Sequence, residues 1–490
     1  MDVQDLLIIG GGINGTGIAR DASGRGLSVV LCEKNDLASG TSSKSSKLIH
    51  GGLRYLEYGE FRLVREALRE RETLMRIAPH LVSPLRIVLP HHKGLRPKWM
   101  LRLGLLIYDH LGGRRSLPGT KVANLHTGDE AGVLKPEFQT GFVFSDCRVD
   151  DARLVVANAL GAKERGADIR TRTKCTGLDH NGKIWTAVLS DHPSGKSKTV
   201  QARCIINASG IRVDEMVELA LVHKAEDHLR LVKGSHIVTN RLYPSRHLYM
   251  FQNKDGRIIF AIPYEQNFTL IGTTDAPYEL SDGSIEISQA ETEYLIKSAN
   301  DYFAASISKA DIVWSYAGVR PLYDNKKQSA SAVTRDYVFD VMDENMPPIL
   351  SIFGGKITTY RELSEHALRK LKKYFPDMGK DWTGKSPLPG GGMVEFDQFV
   401  KTQEVKYPWL ETAHLLRLCR SYGTSIEALL EGAKSYNDMG QRFGGTLTEL
   451  ETHYLIKHEW AKTANDILWR RTKTGLHMSK AEREAFQDWF

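Results

Sequence analysis

Asp5-Leu6-Leu7-Ile8-Ile9-Gly10-Gly11-Gly12-Ile13-Asn14-Gly15 opens the chain almost at its first residue, and this stretch decides the fold. An apolar strand runs into a glycine-rich turn and then into a helix. Each glycine has its own physical task. Gly10 permits the tight turn, Gly12 lets a pyrophosphate approach the backbone at the helix N-terminus, and Gly15 lets helix and strand pack closely. A second apolar strand, Leu27-Ser28-Val29-Val30-Leu31-Cys32, ends on Glu33, whose carboxylate can accept hydrogen bonds from a ribose diol. The glycine spacing alone is a weak signal. Framed by two strands and an acid it specifies a dinucleotide-binding unit.

Outward from that unit, 490 residues are too many for one ordinary core, so two or three domains are expected. A net charge of +7 suits an anionic partner but is mild for this length. The five cysteines, Cys32, Cys147, Cys175, Cys204 and Cys419, are widely spaced with no CxxC pair, which argues against a disulfide framework or a metal site and for a reducing cytosol. No signal peptide and no membrane-spanning helix are expected. Helices are expected at 60–78, from Asp150 to Arg165 with Gly166 as the stop, and at 288–305. Short strands fill 168–206 and 228–275, with more at 311–318, 333–341 and 349–353. Gly354-Gly355-Lys356 opens a helix to about 374, Pro387 to Gly392 reads as a linker, and 395–490 reads as mainly helical.

Three features favour FAD over NAD. The run Thr41-Ser42-Ser43-Lys44-Ser45-Ser46-Lys47 supplies many donors soon after the first unit. A meander-like stretch ends in Asn207-Ala208-Ser209-Gly210, a small-residue turn able to meet the adenine or pyrophosphate side. Phe353-Gly354-Gly355-Lys356-Ile357-Thr358-Thr359 places a helix N-terminus late in the chain, where it can stabilise negative charge on a reduced flavin.

Thr41 to Tyr55, with Leu48-Ile49-His50-Gly51-Gly52-Leu53-Arg54 at its end, resembles the flavin-proximal segment of FAD-dependent glycerol-3-phosphate dehydrogenases. Val232 to His236, Ile271 to Asp275, Tyr316 to Leu322, Thr334 to Tyr337, Phe353 to Arg361 and Leu468 to Lys473 resemble further segments of that family, in the family's order and over nearly the whole chain. One departure is visible: after Gly210 relatives often continue with Pro-Trp, whereas this chain has Ile211-Arg212.

The resemblance implies a D-amino-acid-oxidase-like flavoprotein fold, α/β plus α+β, with a Rossmann-like FAD-binding domain, a β-sheet substrate domain and a C-terminal helical domain. The expected boundaries are 1–75, 150–215 and 340–386 for FAD, 76–149 and 216–339 for substrate, and 393–490 for the helical domain. The respiratory, quinone-reducing form is the one whose length matches. The implied reaction is oxidation of glycerol 3-phosphate to dihydroxyacetone phosphate by way of FAD, with a membrane quinone as acceptor.

Such a site needs a phosphate clamp, a base and a flavin held face-on. Arg320 and Arg335 are the expected clamp, with Arg54 close by, because a phosphate dianion prefers guanidinium partners. His236 is the expected base and His50 its rival; Lys356 is expected to stabilise the developing alkoxide or the reduced flavin. The expected FAD contacts are Gly10, Gly12, Gly15, Glu33, Thr41, Ser42, Ser46, Lys47, His50, Ser209, Gly355 and Thr358. No metal is expected.

Residues 95–115 mix basic, aromatic and aliphatic side chains. On a helix beginning near Pro97, Lys98 and Arg102 would flank an apolar face of Trp99, Met100 and Leu103, with Arg114 and Arg115 following. That composition suits an interfacial helix on an anionic lipid surface, and equally an ordinary packed helix; the family is peripheral, which favours the cytoplasmic face of the cell membrane. A homodimer is implied by the resemblance. Lys and Arg are scattered without an aromatic-interleaved stripe, so no nucleic acid is expected.

Overall fold

The structure, a computed structural model, describes residues 2–113, 116–221, 229–324 and 336–490. Gln4–Ile9 lies inside an eight-stranded sheet, parallel to Val29–Cys32 on one side and Ser197–Asn207 on the other. Asp168–Arg170 and Ile349–Phe353 extend it in parallel at either side, and Val338–Met342 closes one edge antiparallel. Alternation along the first strand distributes its side chains. Leu6 and Ile8 meet helices Ile13–Gly24, Asp151–Lys163 and Tyr360–Lys370, while Leu7 and Ile9 meet the meander of Thr173–His180 and Trp185–Asp191. Alanines at 19, 22, 152, 159 and 162 keep the helices close to one another. Asp150 starts the second helix by accepting from Arg153 N at 3.1 Å.

The second sheet has ten strands and is mainly antiparallel. Leu229–Asn240 pairs along its length with Ile312–Tyr323 and, on its other side, with Phe268–Gly272. One face, with Val238 and Leu270, packs under helices Phe61–Ile77 and Lys98–Leu111; the other, with Ile237 and Ile271, packs under Gln289–Tyr302.

Two segments cross the expected boundaries. Leu48–Ile49, placed with the FAD domain by position, is hydrogen-bonded into the second sheet beside Arg148 and Cys147. Val338–Met342 straddles position 340, yet pairs wholly within the first sheet. Backbone pairing, not chain order, assigns both.

Residues 396–490 build their own core from helices Phe396–Lys406, Thr412–Tyr422, Glu449–His458 and Lys480–Trp489. Buried ion pairs fasten it to the first unit: Arg471 to both oxygens of Asp36 at 2.7 and 2.8 Å, and Arg153 to Glu459. The Pro387 to Gly392 stretch is no loose linker. A Cβ at Gly391 would lie 2.2 Å from Ile77 O and one at Gly390 2.3 Å from Tyr422 O, so the glycines let backbone seat against backbone.

Candidate active site

The parallel strands end level, with Ile9 opposite both Cys32 and Asn207, so Gly10, Glu33 and Ala208 leave the sheet at one edge. Ligands of open parallel sheets bind at that edge. Gly10 has φ +119°, and a Cβ there would sit 2.4 Å from Ala208 O; at Gly15 it would sit 1.9 Å from Gly10 O. No side chain fits at either position. Glu33 accepts from Gly11 N at 2.7 Å and Asn35 N at 2.8 Å, and burial raises its pKa. Gly12 precedes the helix, and Ser42 Oγ accepts from Ile13 N at 3.0 Å. Ser209 Oγ donates to Asn207 Oδ1 at 2.6 Å, which closes the turn on itself. The departing residues Ile211 and Arg212 lie in a 3-10 turn, and Arg212 pairs with Glu215 three residues on.

On the opposite side of this edge, Gly354 and Gly355 take φ of +77° and +99° before the 3-10 turn Ile357–Thr359. Asn14 Nδ2 donates to Gly354 O at 3.3 Å, and its buried Oδ1 has no hydrogen-bond partner among the described residues. Thr358 Oγ1 accepts from His50 N at 3.4 Å. Bare glycine turns, two helix starts, an acid at the second strand's end and an unused buried acceptor fit FAD. Gly12, Ser42, Glu33, Asn14, Gly355 and Thr358 are residues that could hold it.

Other expected contacts are occupied elsewhere. Thr41 Oγ1 donates to Val319 O at 2.7 Å. Lys47, 4% exposed, gives its ammonium to both oxygens of Asp151 at 2.9 Å and to Ser43 O at 3.1 Å. It therefore pins the loop to helix Asp151–Lys163 instead of reaching a ligand. Ser46 Oγ lies 2.9 Å from His236 Nε2. His236 is 2% exposed, stacks on Tyr316 at 4.8 Å and lines neither cavity described below. Burial, then Lys47 and Arg320, push its pKa well below 6.5. The structure keeps this imidazole neutral but does not bring it to open space.

Two cavities meet at a shared wall of Tyr55, Asp275 and Arg320. The first, about 410 Å³, is bounded also by Thr41, Gly354, Gly355 and Lys356. Lys356 Nζ lies 4.2 Å from the centre of the Tyr55 ring. The Arg320 guanidinium bonds Asp275, donates to Thr273 Oγ1 at 3.0 Å and to Thr274 O at 2.9 Å, and remains partly exposed. Beneath it, Glu291 accepts from Thr274 Oγ1 at 2.7 Å and Ser235 Oγ at 2.8 Å. Burial opposes its ionisation, yet bonds from Ser288, Thr274, Ser235 and Lys233 hold its pKa down to about 2. The second cavity, about 260 Å³, contains His50, Arg54 and an apolar lining. The structure thus groups Arg320 with Lys356 on one side and with Arg54 and His50 on the other. Arg335 lies outside the described residues.

Tyr55, Asp275 and Asp146 received no role from the sequence. Tyr55 and Asp275 sit inside segments that carry the resemblance. Asp146, a single acid on Thr140–Val149, gave no signal, because its importance comes from what folds onto it. Tyr108 donates to it at 2.7 Å and Arg71 at 2.9 Å, and Tyr108 in turn accepts from Gly51 N at 2.8 Å.

Residues 5–361 match the family FAD dependent oxidoreductase, and 382–488 match the C-terminal domain of alpha-glycerophosphate oxidase. The fold and cofactor site thus define an FAD-dependent oxidoreductase. Within that class the chain belongs to the FAD-dependent glycerol-3-phosphate dehydrogenase family. It is 48% identical to D-erythritol 1-phosphate dehydrogenase of Brucella abortus, over 99% of this chain and 97% of that one. It is 47% identical to aerobic glycerol-3-phosphate dehydrogenase of Escherichia coli, over 100% of this chain and 97% of that one. Among solved structures, the glycerol-3-phosphate dehydrogenase of Bacillus halodurans complexed with FAD superposes with a TM-score of 0.75 at 26% identity, covering 100% of this chain and 94% of that one.

Proposed function

We propose that the chain oxidises sn-glycerol 3-phosphate to dihydroxyacetone phosphate and passes the electrons to a membrane quinone. The observation that carries the first half is the convergence of Arg320 and Lys356 on one cavity beside the Gly354–Gly355 turn. A guanidinium and an ammonium there match a small dianion and the oxygen that becomes a carbonyl. Arg335 is the further clamp the resemblance implies. FAD, when bound, supplies the two-electron acceptor. The protein's own residues bind the phosphate, hold the carbinol and take its proton.

For the proton, His50 is the better placed of the two histidines, since it alone lines a cavity with Arg320. Burial lowers its pKa below 6.5, Asp146 opposes that shift and Lys356 adds to it. The neutral imidazole is the form that accepts a proton near pH 7.

The membrane half is supported by helix Lys98–Leu111. Trp99, Leu103 and Leu106 are 66%, 49% and 54% exposed along one side, with Lys98 and Arg102 among them. An apolar stripe with basic neighbours suits lipid headgroups and acyl chains. No helix among the described residues is long and apolar enough to cross a membrane; the contact proposed is a peripheral one, on the cytoplasmic face that the family resemblance implies.

A relative at equal identity is named for D-erythritol 1-phosphate, so a longer polyol phosphate is the competing substrate. Anaerobic bleaching of the bound flavin is the test. Glycerol 3-phosphate should bleach it with the higher second-order rate constant, and a short-chain quinone should restore the colour. Faster bleaching by D-erythritol 1-phosphate would transfer the assignment to that substrate.

A further inference from the structure

The 410 Å³ cavity carries one cation that the sequence motifs leave without a role. Arg230, two residues ahead of the Val232 to His236 segment, lines it together with Arg320 and Lys356. Its place follows from strand register. Val232 pairs with Arg320, and Arg230 with Leu322, between Leu229–Asn240 and Ile312–Tyr323. Arg230, Val232, Gly234 and Arg320 therefore share one face of the sheet. The Arg320 side chain lies over Gly234, where an added Cβ would come 2.2 Å from its Nη2. It thus leans away from Arg230, and Val232 is left as cavity floor between the two arginines. Diagonal neighbours on such a face stand about 7–8 Å apart, a gap that two long side chains can close around one phosphate.

The charges on this cavity do not cancel. Arg230, Arg320 and Lys356 line it, and so do Asp275 and Asp336. Asp275 is bonded to Arg320, whose other donors go to Thr273 and Thr274. Asp336 pairs with Arg62 at 2.5 Å. Lys356 Nζ meets the face of the Tyr55 ring, 4.2 Å from its centre. Among the described residues Arg230 has no hydrogen bond and no ion pair. Arg230 and Lys356 thus border the cavity with no carboxylate of the described residues bonded to either, and a dianion is the ligand that balances them. A half-enclosed cavity lined by one uncompensated sign of charge concentrates ligands of the other.

We propose that Arg230 is a second phosphate-binding guanidinium of the substrate cavity, placed across Val232 from Arg320. Arg320, held on Asp275, fixes the direction of the phosphate; Arg230 brings a charge that no carboxylate offsets. The assignment rests on the polyol-phosphate reading given above and adds to it a residue outside the segments that carry the resemblance. No bond is made or broken at Arg230. It holds the phosphate equally before and during hydride transfer, so its effect belongs to affinity and not to the chemical step.

The test is Arg230→Gln in the full-length, FAD-loaded protein, with Arg230→Lys as the charge-retaining variant. Anaerobic bleaching by glycerol 3-phosphate gives the half-saturating concentration and the limiting rate. Line broadening in phosphorus NMR gives the affinity of the oxidised protein for inorganic phosphate. In Arg230→Gln the half-saturating concentration and the phosphate dissociation constant should each rise by about tenfold to hundredfold, the scale of one hydrogen-bonded contact to a charged group. The limiting rate should stay within threefold of wild type and the FAD content should not change. Arg230→Lys should recover most of the lost affinity. An Arg230→Gln protein that binds phosphate and glycerol 3-phosphate within threefold of wild type overturns the proposal, and so does one whose deficit lies in the limiting rate alone. Should Arg230→Gln lose its FAD, Arg230→Met is judged by the same criteria. If no polyol phosphate bleaches the wild-type protein, the substrate reading fails, and the phosphate titration still decides whether Arg230 binds the anion.

Discussion

The two cavities that meet at Arg320 are held open by different forces. The substrate cavity is a lattice of directed bonds: Arg320 on Asp275, Thr273 and Thr274, with Glu291 fixing Thr274 from beneath. The helix cavity is a gap between two apolar surfaces, the sheet floor and Lys98–Leu111. The first can discriminate charge and geometry, because a missing partner leaves a charged group unpaired. The second discriminates mainly by shape and lipophilicity. One wall serving two such chambers sets charged, directed contacts on one side of Arg320 and mainly apolar ones on the other.

The most severe way to break this division is to remove the common wall. Arg320→Ala deletes the cation and leaves Asp275 without its guanidinium. Two charge-assisted hydrogen bonds at about 1.5–3 kcal/mol each correspond to a loss of roughly 10²–10⁴ in the second-order bleaching constant. FAD content, read from flavin absorbance, should not change, since among the described residues Arg320 bonds to the Thr273–Asp275 loop and not to the glycine turns. Bleaching within threefold of wild type would remove Arg320 from the clamp.

The outer surface can be altered without touching either chamber. Changing Trp99, Leu103 and Leu106 together to Ser should weaken binding to anionic vesicles by about 100-fold, on the scale of burying a few partly exposed apolar side chains. Bleaching by glycerol 3-phosphate should be unaffected. Unchanged vesicle flotation would make this an ordinary exposed stripe.

A milder perturbation is pH. His50 has a folded pKa below 6.5, so protonation removes the accepting form only on the acid side. The bleaching constant should be level above pH 6.5 and fall about tenfold per unit once pH drops below the His50 pKa. In His50→Gln that acid limb should disappear from a uniformly lower profile. If the limb survives in His50→Gln and vanishes in His236→Gln, the proton belongs to His236, acting through Ser46.

The same contrast explains what could be read from the chain beforehand. The parallel unit was legible because its constraints are local: Gly10, Gly12, Gly15 and Glu33 lie within one strand-turn-helix-strand passage. FAD and the late helix start were legible for the same reason, since Gly354 and Gly355 are adjacent in sequence. The helix from Lys98 was legible as amphipathic, but not as the wall of a cavity, because the opposing floor is assembled from separate strands, Val82–His91 before it, Thr140–Val149 after it, and Leu248–Gln252 and Ile258–Tyr264 far later in the chain. Lys47 looked like a ligand contact until Asp151 folded onto it. His236 sits in a motif that the resemblance marks, yet strand pairing buries its ring against Tyr316, and no local pattern encodes that.

The smallest effect asks how independent the chambers are. Tyr108 is on the outer helix, but its hydroxyl donates to Asp146 and accepts from Gly51 N, next to His50. Tyr108→Phe leaves Asp146 with Arg71 and leaves Gly51 N with a long contact of 3.4 Å to Asp146. The cost should be about 1–2 kcal/mol, because one neutral hydroxyl is lost from a network that keeps its charged pair. The helix itself is retained by Leu105 packing with Leu68 and Phe144, so the deficit should fall on the loop. Hydrogen exchange locates it: the Gly51 amide should lose about tenfold in protection, while the Leu105–Leu111 amides lose less. Equal losses at both places would mean that helix and loop open as one cooperative unit. The outer helix and the loop at His50 would then be mechanically coupled, and any contact on the exposed face of that helix would necessarily be felt at His50.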